Sequence, residues 1–109
     1  MECIFCKIIK KELASEIIHE DDKTISVKDI NPKAPIHFLI LPKKHILSVN
    51  HLEEEDKSLM GELILTAQKI AKEKNLNGYK LVINVGREGG QIVDHLHMHL
   101  LSGYPMEMP

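Results

Sequence analysis

Three histidines stand at every second position late in this 109-residue chain: His95, His97 and His99. Imidazole changes charge near neutral pH, so it can act as nucleophile, general acid or metal ligand. The segment His95-Leu96-His97-Met98-His99-Leu100 alternates strictly. On a strand, side chains two apart share a face, which lines up three imidazoles about 6.6 Å apart and turns Leu96, Met98 and Leu100 to the core. An unselected outer face carries mixtures of Thr, Lys and Glu, so the row reads as reactive. A metal centre on all three histidines is the rival reading. Such sites usually recruit a further ligand, and alternation points the adjacent Asp94 to the opposite face. The loop just upstream favours a different chemistry. Gly86, Gly89 and Gly90 offer backbone N–H groups that can approach an anion closely. The loop joins strand to strand, so it is neither a P-loop nor a dinucleotide fingerprint. A phosphoryl group held by amides and flanked by imidazoles suits phosphoryl or nucleotidyl transfer.

A second cluster opens the chain. Cys3-Ile4-Phe5-Cys6 is a C-x-x-C pair, half of a tetrahedral zinc site. A redox pair is the alternative, but the strand-then-helix context it needs is missing. Two cysteines form no disulfide framework, which points to a reducing compartment. The apolar run at the N-terminus is too short for a signal-peptide core, and no 18-residue apolar run exists to span a membrane. Fourteen basic residues against sixteen acidic give a net charge of −2, so neither nucleic acid nor anionic lipid is a favoured partner. Trp is absent and aromatics are 4%, which removes stacking platforms for single-stranded nucleic acid.

These groups need elements to position them. With 43% hydrophobic and 28% charged residues, the chain is ordinary globular material, long enough for one domain over residues 1–109. Phe5, Ile8 and Ile9 predict a short helix over residues 4–11. Strands are expected over 15–20 and 24–28, joined by Asp21-Asp22, and over 37–41 after a loop at Asn31-Pro32-Lys33-Ala34-Pro35. A wide apolar stripe through Leu59, Leu63, Thr66 and Ile70 predicts a long helix over 54–74, stopped by Asn77-Gly78. Further strands are expected over 79–85 and 95–101, followed by an irregular tail over 102–109. Strands around one long helix indicate an α+β fold with an antiparallel sheet. His19 and His51 fall outside any motif and read as surface residues.

The residues together resemble the histidine triad family, whose signature stands here as His95-Leu96-His97-Met98-His99-Leu100-Leu101. Asp29 through Leu39, Pro42 through Ile46, and Asn84 through Gln91 resemble its two half-sites, and nearly the whole chain is covered. The nearest branch looks like the purine nucleoside phosphoramidases. The resemblance implies a homodimer of five-stranded antiparallel sheets, each with one long and one short helix; the cysteine usage and the short N-terminal apolar run make the cytoplasm the expected compartment. The resemblance also implies a purine nucleotide substrate and hydrolysis of the P–N bond in nucleoside 5′-monophosphoramidates. His97 would attack the α-phosphorus, and His99 would hold a phosphoryl oxygen and help protonate the leaving amine. Asn84 and the amides of Gly90, Gln91 and Ile92 would cradle the phosphate. Asp29, next to Ile30, would accept from the ribose hydroxyls. Phe5, Ile8, Val27 and Leu39 match base-pocket positions, and His37 would support the site by hydrogen bonding. Some relatives carry a structural zinc on two Cys and two His, which maps here to Cys3, Cys6, His45 and His95.

The chemistry stands on its own terms: a neutral imidazole is both a good nucleophile and a good leaving group, and a departing amine needs an acid. The chain also departs from the branch. Ile92 replaces a serine that donates to phosphate, Val27 is smaller than the usual aromatic, and the tail after Tyr104 lacks a Trp. Two other functions share these residues: a dinucleoside polyphosphate hydrolase, and a nucleotide-sensing protein whose hydrolysis is incidental.

Overall fold

Period-two alternation builds the strands and a 3.6-residue stripe builds the long helix. The computed structural model describes residues 3–103. In chain order the elements are α1 (Ile4–Ile9), β1 (Ile17–Glu20), β2 (Thr24–Lys28), β3 (Ile36–Pro42), α2 (Lys57–Glu73), β4 (Lys80–Val82) and β5 (Met98–Ser102). The five strands form one antiparallel sheet in the order β1-β2-β3-β5-β4, an α+β architecture as expected. No helix among the described residues is long and apolar enough to cross a membrane.

Alternation gives each sheet face its own core. Phe38, Ile40, Met98 and Leu100 pack with Leu63, Ala67 and Ile70 of α2. The opposite face carries Ile25, Val27, Leu39 and Leu41, covered by Phe5 and Ile8 of α1. Across that second face the register places Val27 beside Leu39, Leu39 beside His99, and His99 beside Val82. The sheet therefore delivers His99 to the α1 side, away from α2.

Several boundaries differ from the sequence expectation. The long helix opens with a 3₁₀ turn over Glu54–Asp56, because Glu53 and Asp56 form a reciprocal capping box. It ends earlier than Asn77-Gly78. Asn75 takes the left-handed conformation at φ 56°, and the Leu76 N–H donates to the Ala71 carbonyl while the Asn75 N–H donates to that of Lys72. That is a Schellman stop with Asn in glycine's usual place. The last strand begins at Met98, not His95. Extending the β3–β5 register puts Leu96 opposite Pro42, which has no N–H for the ladder. The Leu96 N–H instead donates to the Ile46 carbonyl at 2.7 Å. Ser102, expected in the tail, pairs with Ile36 as the last residue of β5. The rest of the expected tail, from Tyr104, lies outside the described residues.

Leu63 is fully buried at the centre of the α2 face. Leu63→Ala should cost about 3 kcal/mol of unfolding free energy in urea titration, because the packed sheet behind it relaxes only in part.

Candidate active site

The α1 face of the sheet opens into a cavity of about 520 Å³. Its floor is apolar: Phe5, Ile8, Val27 and Leu39. His97 and His99 reach it from the last strand and its approach, Asp29, Ile30 and His37 from the β2–β3 region, and Asn84, Gly90 and Ile92 from the glycine loop. Ile30 and Ile92 are over 80% exposed and form its rim.

Hydrogen bonds decide what each imidazole offers. His97 Nδ1 lies 2.7 Å from the His95 carbonyl, which can only accept, so Nδ1 carries the proton and Nε2 keeps its lone pair. The Phe5 ring packs against that imidazole at 5.0 Å between centroids. A second chain of bonds sets His99. The Lys33 N–H donates to His37 Nδ1 at 3.0 Å, which puts the His37 proton on Nε2. His37 Nε2 then donates to His99 Nδ1 at 2.8 Å, so His99 carries its proton on Nε2. The site thus pairs one imidazole with a free lone pair and one with a free N–H. Asp29 uses one oxygen to cap the turn at the Asn31 N–H, 2.8 Å away, and holds the other 3.4 Å from His37 Nε2.

Among the described residues, two groups have metal-like spacing. The ligand atoms of Asp29, His37 and His99 lie within 4.8 Å of one another. The proton placed on His37 Nε2 by the Lys33 N–H leaves no lone pair there for a metal. The second group is Cys3, Cys6, His45 and His95. The His95 Nε2–H donates to the Pro42 carbonyl at 2.8 Å, so its Nδ1 lone pair faces the two sulfurs. The six distances among the four donor atoms run from 3.1 to 3.8 Å. A tetrahedral zinc needs edges of roughly 3.3–3.8 Å from its usual Zn–N and Zn–S bonds. The donor set fits zinc within a few tenths of an ångström.

Residues 2–108 match the family profile described as scavenger mRNA decapping enzyme C-terminal binding. The chain is 44% identical over 107 residues to the purine nucleoside phosphoramidase of Escherichia coli K12, covering 96% of this chain and 90% of that protein. The fold superposes with a TM-score of 0.95 on a HIT family hydrolase from Legionella pneumophila, 42% identical, covering 99% of this chain and 98% of the other. It superposes equally on a histidine triad protein from Clostridium difficile, 39% identical, covering all of this chain and 96% of the other. The chain belongs to the histidine triad family.

Within this histidine triad fold, most residues singled out from the sequence meet at one cavity: Phe5, Ile8, Val27, Asp29, Ile30, Leu39, Asn84, Gly90, Ile92, His97 and His99. Gln91 does not line it. Its side chain is buried, accepting from the Gly86 N–H and donating to the carbonyls of Leu47 and Val93. The amide cradle is also narrower than expected. The N–H groups of Gly90 and Gln91 donate to the carbonyls of Arg87 and Gly86, which leaves that of Ile92 as the donor among the three expected amides. The sequence reading missed Lys33, whose backbone N–H sets the His37 tautomer. Only its place in the proline loop before His37 could have hinted at that. His95 belongs to the sulfur cluster and not to the cavity.

Burial sets the charge of these rings. It lowers the pKa of His97 and His37, and with His97 and His37 nearby it takes His99 down to about 4. The imidazoles are therefore neutral at pH 7. A depressed folded-state pKa means the unfolded chain binds protons first as pH falls, so the stabilisation is complete above the ordinary value of 6.5 and is lost on descent towards about 4. The melting temperature should fall across that window. His99→Asn should show a shallower fall by calorimetry, and an identical slope would place the titration elsewhere.

Proposed function

We propose that this chain is a hydrolase that cleaves the P–N bond of purine nucleoside 5′-monophosphoramidates, such as AMP linked to an amine, through a nucleotidyl-histidine intermediate. The observation that carries this reading is the His95 carbonyl holding His97 Nδ1–H at 2.7 Å, which leaves Nε2 as a neutral nucleophile at the cavity. The base would rest on Phe5, Ile8, Val27 and Leu39, and the ribose hydroxyls would donate to Asp29. The phosphate would accept from the Ile92 N–H, with Asn84 and Gly90 beside it. His97 Nε2 attacks the α-phosphorus, and the P–N bond breaks as the leaving nitrogen, held by the His99 Nε2–H, takes up a proton from solvent and departs as the amine. The His97 ring, bonded to phosphorus at Nε2 and still carrying its Nδ1 proton, is then a cation and a good leaving group. Water attacks phosphorus, the P–Nε2 bond breaks, and the water's surplus proton returns to solvent. The products are AMP and free amine, and the enzyme ends as it began. Support comes from the E. coli relative, whose name states this activity.

His97→Ala should reduce turnover of an AMP–amine substrate by at least ~10³-fold while AMP still binds. Turnover near the wild-type rate would remove His97 as nucleophile. Rapid-quench intact mass should find the nucleotide adduct on His97.

The same reading takes the protein as a cytoplasmic homodimer. In its support, β4 is the last strand of the sheet among the described residues, so a sheet edge lies there. It also takes Cys3, Cys6, His45 and His95 as the ligands of a structural zinc. Bound there, the metal supplies a crosslink and no step of the reaction. Helix α1 with its N-cap residue Cys3 carries both sulfurs and also Phe5 and Ile8, so the crosslink would pin the cavity wall to the triad. About one equivalent of zinc should copurify, as a closed four-ligand site implies. It should be lost in the Cys3→Ser, Cys6→Ser variant together with nucleotide affinity. A zinc-free wild type would refute the site.

A further inference from the structure

We infer that Arg87 is a substrate-positioning residue that acts on the phosphate without touching it, through the Gln91–Ile92 peptide. This inference rests on the phosphate lying at the Ile92 N–H, as in the proposed function. Arg87 is not part of the cavity wall. Its guanidinium Nη1 donates to the Gln91 carbonyl at 2.6 Å and pairs with Asp94 at 2.9 Å. That carbonyl and the Ile92 N–H belong to one peptide unit. A cation on the oxygen draws electron density along the amide and makes its N–H a stronger donor, the cooperative polarisation of linked hydrogen bonds. Charge-assisted bonds are also the shorter and stronger kind, and the 2.6 Å distance is at that end.

The surroundings direct this effect to a single group. Gly90 and Gln91 have spent their own N–H groups on loop carbonyls, so of these three amides it is that of Ile92 that is left to donate. The Gln91 side chain bonds Gly86, Leu47 and Val93 and fixes the plane of the peptide from within. Asp94 holds the guanidinium in place from outside. The loop therefore presents anion-binding strength from a charge kept on the far side of its own backbone. Ile92 itself brings no polar side chain, which leaves the main-chain donor to do this work.

The test compares AMP with adenosine, ligands that differ by the phosphate, using calorimetric binding to the intact protein. Arg87 is 63% exposed, so Arg87→Met should fold. It should weaken AMP about tenfold, one lost charge-assisted bond's worth, and leave adenosine within about twofold. Arg87→Lys, which keeps a donor of like charge, should recover part of the loss. The Ile92 amide proton should move upfield in Arg87→Met by NMR and respond less to AMP. The difference should persist at about 0.5 M salt, where simple long-range attraction is screened. Equal loss for both ligands, an unchanged Ile92 amide, or disappearance of the effect in salt would overturn the role. A wild type that binds AMP no tighter than adenosine would instead overturn the phosphate site itself, and Arg87 with it.

Discussion

The His95 carbonyl decides which nitrogen of His97 is free, and the rest of the site depends on that choice. An imidazole with its lone pair on Nδ1 would face its own backbone and react with nothing in the cavity. The bond exists because the chain does not enter β5 until Met98, so the carbonyl of residue 95 is not consumed by a ladder. Pro42 enforces this by offering no N–H opposite Leu96. The same proline's carbonyl accepts from the His95 ring and turns its other nitrogen to the sulfurs. One residue thus orients the proposed nucleophile with its backbone and completes a metal-shaped cluster with its side chain. The two sites share His95 as a mechanical part.

Neutral imidazoles in a half-apolar cavity solve a chemical problem and create a structural one. A protonated His97 has no lone pair to attack with, so burial that lowers its pKa serves reactivity. The same burial leaves polar nitrogens needing partners, each worth roughly 1–3 kcal/mol if left unpaired. The protein meets this with main-chain groups: the carbonyls of His95 and Pro42 and the N–H of Lys33. Main-chain partners do not titrate, so they hold one tautomer across the working pH range. Side-chain carboxylates in those places would have pulled the imidazoles back towards the charged form.

Much of this was legible in the sequence because it is local. Alternation alone put His97 and His99 on one face and Leu96, Met98 and Leu100 on the other, and the cavity and the α2-side core bear that out. The stripe of α2 and the proline loop before β3 were equally plain. What escaped depends on distant partners. Nothing within ten residues of Gln91 says that its amide will bond Leu47, 44 positions away, and so turn from the cavity. The truncated start of β5 needs the β3 register to bring Pro42 opposite Leu96. The α2 terminus was a closer contest between two asparagines, and Asn75 won because Leu76 after it has an apolar cluster to enter. His45 could be joined to Cys3 and Cys6 only by likeness to known proteins, since no spacing rule links them.

Under the proposed function, the ligand's own charge would explain why the loop that holds phosphate is built from amides. A phosphate arriving beside His97 favours the imidazolium and raises its pKa, which works against the nucleophile. Burial moves that pKa down and so opposes the rise. A lysine beside the phosphate would also oppose the rise, but it would bring a strongly hydrated charge and its water into the cavity. Fixed peptide dipoles would hold the anion without that water. They are weaker than a cation, and a cation placed behind the peptide, outside the cavity, restores strength without wetting the reacting atoms. Dryness for the nucleophile and attraction for the anion are opposing demands, and the loop meets both by separating the charge from the surface it acts upon.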